Sequence, residues 1–104
     1  MTWQNARTYC ESNFGHLVTI TSAEEQAFLQ SNYTGAFWIG ATDETVEGQW
    51  EWITGETWTY SNWMSGEPND FNNGEDCGEM SDGQWNDNGS SYMIGFVCEW
   101  DFVG

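Results

Sequence analysis

A chain of 104 residues holding eight Trp, six Phe and four Tyr carries too much apolar area for a disordered acidic tail, and is long enough for one domain with a modest core. Its seventeen acids face one basic side chain, Arg7, and no lysine, for a formal net charge of −16. Phosphate contacts need Lys and Arg, so nucleic acid is excluded as a partner, anionic membranes and sulfated polysaccharides are disfavoured, and the compact state repels itself unless cations bind.

Trp3, Ala6, Cys10 and Phe14 recur at helical spacing, which predicts a helix over 2–14 closed by Gly15 as its C-terminal cap. The run "HLVTI" (16–20) is short and β-branched. Ser22 followed by Glu25 forms a capping box that opens a second helix through about Gln30, with Glu24 and Glu25 suited to its N-terminal dipole. "FWIGA" (37–41), "GQWEWI" (48–53) and "IGFVCEW" (94–100) read as strands. Residues 54–90, dense in Gly, Asn, Ser, Asp and Trp, read as one long loop, and a loop of that length is normally functional or disordered. The expected class is α+β in a single domain over 1–104: two helices first, then small antiparallel sheets interrupted by the loop.

No apolar run approaches the width of a bilayer, which argues against membrane insertion. Nothing at Met1 reads as a secretory leader, so an exported protein would carry its signal outside this sequence. Cys10, Cys77 and Cys98 lack CxxC spacing and suggest one disulfide and one leftover thiol.

The stretch "GEPNDFNNGEDC" (66–77) places four acids and three asparagines in a dozen positions. Packed carboxylates repel and lose hydration, so such a segment is either a solvated loop or a cage for a cation. Calcium takes six to eight oxygens from carboxylates, amides, backbone and water, which Glu67, Asn69, Asp70, Glu75 and Asp76 could supply. Cys77 is the lone soft ligand nearby, which argues against zinc. "WND" (85–87) adds Asn86 and Asp87, and "TDETVEG" (42–48) adds Asp43 and Glu47.

Taken in order, "HLVTITSAEEQAF" (16–28), "FWIGATD" (37–43), "EGQWEW" (47–52), "YSNW" (60–63), "GEPN" (66–69), "GEDC" (74–77), "WND" (85–87) and "FVCE" (96–99) resemble the C-type lectin-like domain nearly from end to end. The resemblance implies a sugar-binding Ca²⁺ held by Glu67, Asn69, Glu75, Asn86 and Asp87, the last through side chain and backbone carbonyl, with Pro68 after a cis bond. It implies an auxiliary Ca²⁺ at Asp43, Glu47, Asp70 and Asp76, with Glu75 shared. The EPN pattern goes with equatorial vicinal diols, as in mannose, glucose, GlcNAc and fucose; the QPD pattern of galactose binders is absent. Two waters on the ion would give way to the diol, whose hydroxyls donate to the acids and accept from the amides. Affinity for ion and sugar should fall together as pH drops through the carboxylate range near about 4 to 5. Cys10 and Cys98 would form the long-range disulfide. The family's inner bridge would join Cys77 to position 90, which is Ser90 here, so Cys77 is expected as a buried free thiol.

The family's strand before the first helix has no counterpart ahead of Thr2. Trp38, Trp50, Trp52, Trp63 and Trp85 read as packing residues and His16 as structural, whereas Phe71 is expected to flank the sugar. The implied function is a calcium-dependent, extracellular or surface-displayed recognition or adhesion module, multivalent through a larger parent. Its alternatives are a calcium-stabilised protein- or ice-binding module on the same fold and, more remotely, a glycosidase. A carboxylate held by calcium is a poor general acid, and the single histidine completes no catalytic set, so no catalytic residue is assigned.

Overall fold

The computed structural model of the chain describes residues 1–68 and 75–100. Helix α1 spans Trp3–Ser12 and α2 spans Ala23–Asn32. The strands are β1 (His16–Leu17), β2 (Ala36–Thr42), β3 (Glu51–Trp52), β4 (Cys77–Ser81), β5 (Gln84–Asn88), β6 (Gly95–Phe96) and β7 (Cys98–Glu99). The α+β expectation holds, and both helices start where their caps place them. Thr2 accepts from the Asn5 amide and Ser22 from the Glu25 amide. The Glu25 carboxylate reaches back one residue further than in a simple capping box, accepting from the amide and hydroxyl of Thr21 at 2.9 and 2.8 Å.

The end of α1 departs from expectation. Gly15 is not the left-handed residue; Phe14 is, at φ 67°. The Phe14 amide donates to the Glu11 carbonyl and the Gly15 amide to the Cys10 carbonyl, the paired bonds of a Schellman ending with Phe in the glycine's usual place. Gly15 serves a different need. A Cβ there would lie 2.7 Å from the Glu99 carbonyl oxygen and 2.9 Å from the Trp100 ring, so only glycine lets the C-terminal segment close over the helix end.

The long loop expected over 54–90 is also corrected: residues 77–88 form a hairpin. β4 and β5 pair antiparallel around a two-residue turn whose central residues, Asp82 (φ 51°) and Gly83 (φ 87°), both lie in the left-handed region. The larger sheet runs β3-β2-β4-β5, with β6 added in parallel on β2; β1 and β7 form a separate antiparallel pair. The run 94–100 is therefore two strands serving two sheets, and only Glu51–Trp52 of the 48–53 run is in the ladder. Ahead of α1, the Met1 nitrogen donates to the Ile94 carbonyl and the Ile94 amide to the Met1 carbonyl.

β2 is buried on both faces. Phe37, Ile39 and Ala41 join Val18, Ile20, Leu29, Trp52, Met80 and Trp85 on one side. Trp38 joins Trp3, Ala6, Cys10, Leu17 and Cys77 on the other. Trp50 and Trp63 pack half-buried against the first cluster, so all five tryptophans read as packing residues do pack. Cys10 and Cys98 form the expected disulfide, while Cys77 is free and fully buried. His16 caps its own strand, with Nδ1 2.7 Å from the Leu17 carbonyl and Nε2 3.8 Å from Glu99.

Candidate functional site

The acidic residues converge because the ladder brings distant segments to one end of the larger sheet. Thr42 is the last residue of β2 and Cys77 the first of β4, and they are register partners. Just beyond them the Asp43 amide donates to the Asp76 carbonyl at 3.1 Å, and the Thr42 hydroxyl donates to the same oxygen at 2.8 Å. Asp43 and Asp76 are thus stitched side by side. The turn after β2 returns Glu47 to them, with the Gly48 amide donating to Asp43 Oδ2 at 2.9 Å.

Carboxylate oxygens of Asp43, Glu47 and Asp76 all lie within 4.8 Å of one another. Asp43 is buried, and its Oδ1 has no hydrogen-bond partner. Like charges this close repel by several kcal/mol at intermediate dielectric, on the order of 332/(εr). The one basic side chain, Arg7, is engaged on α1 with Glu11 at 3.1 Å. Three clustered acids, a buried carboxylate oxygen facing nothing and no cation from the chain form a donor set suited to a hard divalent ion.

A second group assembles along β5. The segment 62–64 runs parallel to this strand: the Trp85 amide donates to the Asn62 carbonyl at 2.9 Å, and the Met64 amide to the Trp85 carbonyl at 2.8 Å. A turn in which the Glu67 amide donates to the Met64 carbonyl follows, and the Glu67–Pro68 bond is cis. Segment 62–64 thus lies beside Trp85, and the half-buried Glu67 follows three residues after Met64. Asp87 is fully buried, and Asn86 Oδ1 is a buried oxygen with no partner. Glu75 is half-buried beside Asp76 and is not one of the three clustered acids. Asn69, Asp70 and Phe71 lie outside the described residues.

Residues the sequence reading passed over support the expected ones. Thr42 and Gly48 hold the first cluster, and Glu79, buried on β4, accepts from Asn86 Nδ2 at 3.0 Å. Glu79 faces Asn86 across the ladder, a relation legible only once the Asp82-Gly83 turn sets the register.

A family model, the lectin C-type domain, matches residues 1–100. The chain belongs to the C-type lectin family. It is 39% identical over 103 residues to the hepatic lectin of Gallus gallus, covering 95% of this chain and 50% of that protein, so it spans about half the length of this curated relative. It is similar to the crystal structure of the cow CD23 C-type carbohydrate-recognition domain in the presence of a GlcNAc2Man3 oligosaccharide, with TM-score 0.91 and 40% identity over 99% of this chain and 83% of that one. A calcium-independent type II antifreeze protein shares the fold with TM-score 0.88 and 33% identity, covering 94% of this chain and 77% of that one. The relatives are binding domains and not enzymes, which sets the glycosidase alternative aside. No helix among the described residues is long and apolar enough to cross a membrane.

Proposed function

We propose that this C-type lectin domain binds glycans by calcium-dependent recognition of a vicinal diol, of the mannose, fucose, glucose or GlcNAc type, through Glu67, Asn69, Glu75, Asn86 and Asp87. Two buried oxygens that face no donor, Asn86 Oδ1 and Asp43 Oδ1, carry this reading, since each stands where a cation would satisfy it. Asp43, Glu47 and Asp76, with Asp70 and Glu75, would hold an auxiliary ion. That ion would tie the turn after β2 to the start of β4. A calcium ion at the first site supplies two exchangeable coordination positions for the diol oxygens.

The chain's own residues choose the sugar. Carboxylates at 67 and 75 accept from hydroxyls, and amides at 69 and 86 donate to them, so the order of acid and amide selects which diol geometry fits. Phe71 flanks the bound ring. Such a site buries little area, so affinity per domain is weak and useful adhesion comes from several copies on a larger parent. A disulfide of long span fits an extracellular or cell-surface setting.

The antifreeze relative favours a second reading, in which any ion only rigidifies the loops of a protein- or ice-binding module. A glycan array run in Ca²⁺ and again in EGTA, with competition by free mannose and by galactose, separates the two. Calcium-dependent retention displaced by mannose and not by galactose is expected. Retention indifferent to chelator and to monosaccharide would defeat the proposal.

A further inference from the structure

Glu79 is an acid that the proposed ligand sets do not use, and its position needs a reason. It lies on β4, between β2 and β5, and is 7% exposed. A carboxylate withdrawn from water is unfavourable unless hydrogen bonds compensate it. Across one ladder its register partner is Trp38, which is fully buried. Across the other it stands directly opposite Asn86, whose Nδ2 donates to its Oε1 at 3.0 Å.

A carboxylate accepts and does not donate, so the atom of Asn86 turned toward Glu79 has to be the amide nitrogen. The carbonyl oxygen then points the other way, and that is the buried oxygen without a partner. An asparagine amide left to itself rotates about a broad, roughly two-fold torsion, and its two ends differ little in size. A cation accepts only the oxygen end. An amide free to flip would present its N–H groups to the cation part of the time.

We propose that Glu79 is a positioning residue of the sugar site: it holds the Asn86 amide with its oxygen toward the cation and its second N–H left for a sugar hydroxyl. This rests on the reading of Asn86 as a ligand given above. Outer partners that orient a metal's ligands typically change affinity by about 10- to 100-fold when removed.

Glu79→Met keeps the length of the side chain and removes the acceptor; Glu79→Gln keeps an acceptor oxygen and removes the charge. In calorimetric titrations with Ca²⁺, Glu79→Met should bind about tenfold or more weakly, with mannose affinity falling in step, and Glu79→Gln should stay close to the parent. The orientation itself is read in the calcium-free parent protein by nuclear magnetic resonance, where one side-chain amide proton of Asn86 should be protected from exchange. Parental calcium affinity in Glu79→Met overturns the role, as does a loss in Glu79→Gln as large as in Glu79→Met, because charge and not orientation would then matter. An Asn86 amide exchanging like a surface asparagine overturns it without any ion present. A parent protein that takes up no calcium would sink the site reading and this role together, whereas a protected amide with unchanged calcium binding in Glu79→Met sinks the role alone.

Discussion

The helical end of the molecule and its acidic end face opposite problems. Around α1, β1 and β7, the side chains of Trp3, Cys10, Leu17 and Trp38 are withdrawn from water, and a bridge between Cys10 and Cys98 spans 88 positions. At the far end of the larger sheet, Asp43, Glu47 and Asp76 crowd together, and β5 carries Asn86 and the buried Asp87. Bringing apolar groups close lowers the free energy, whereas bringing like charges close raises it. One end is stable on its own composition; the other calls for a counter-charge from solution.

Chelation should separate the ends most sharply. Adding EGTA should abolish retention on immobilised mannose and, from calcium at about a hundred times its Kd, lower unfolding free energy by about 2.7 kcal/mol per site. Amide exchange followed by mass spectrometry should quicken over 43–48 and 64–68 and stay slow in α1 and β1. Uniform quickening would erase the contrast between the ends.

Removing the bridge reverses that pattern. Cys10→Ser with Cys98→Ser should cost about 4 kcal/mol by denaturant titration, given the length of chain the bridge closes, while the folded fraction keeps its calcium affinity. Cys77, then the sole thiol, should be unreactive in the native state. Burial pushes it well above the ordinary thiol range, and the carboxylates of Glu44, Asp76 and Asp43 push the same way. Since the folded chain holds that proton more tightly than the unfolded one, its contribution to stability is complete below about pH 8.5 and fades as pH rises beyond it. Cys77→Ala should flatten this alkaline decline in the calcium-free protein.

Between the two ends stands Gln26. From α2 its Nε2 donates to the Gly83 carbonyl at 2.6 Å, and its Oε1 accepts from Trp85 Nε1 at 2.8 Å, pinning both the turn and the strand of the β4–β5 hairpin. Gln26→Ala would leave the buried Trp85 indole N–H unpaired, at about 1 to 2 kcal/mol in thermal unfolding, while the Gly83 carbonyl keeps Asn62 Nδ2 as a donor at 2.8 Å. A change below about 0.5 kcal/mol would mean that the hairpin holds its place without α2.

This hairpin also marks the limit of what the sequence disclosed. The second helix was legible because Ser22 and Glu25 act within four residues of their partners, and the first because Trp3, Ala6 and Cys10 recur at helical spacing. The family motifs named Asp43, Glu47 and Asp76, which the structure brings within 4.8 Å of one another, because short segments carry them. The hairpin was hidden although Asp82-Gly83 is a strong turn signal, because the surrounding Gly, Asn and Ser composition reads as loop. Gln84–Asn88 has just two buried residues, Trp85 and Asp87, and one of those is an acid. Two-residue strands such as β1, β3, β6 and β7 have too few positions for any period to show. Glu79 was invisible for a related reason, since its function depends on a cross-strand partner seven positions away.

The smallest effect has the opposite sign. Phe14 is 95% exposed and carries a left-handed backbone, because Gly15 is committed to the close approach of Glu99 and Trp100. The ring contributes almost no burial, while a side chain with a Cβ in that conformation costs about 1 to 2 kcal/mol. Glycine gives back part of this relief through the greater freedom of its unfolded chain. Phe14→Gly should therefore stabilise the helical end by about 0.5 kcal/mol or slightly more, with calcium and mannose affinity unchanged. Gly15→Ala, one residue along, should destabilise instead, since its Cβ would meet the Glu99 carbonyl. Equal responses at the two positions would mean that the helix ending, and not the packing of the C-terminal segment, decides where this chain needs glycine.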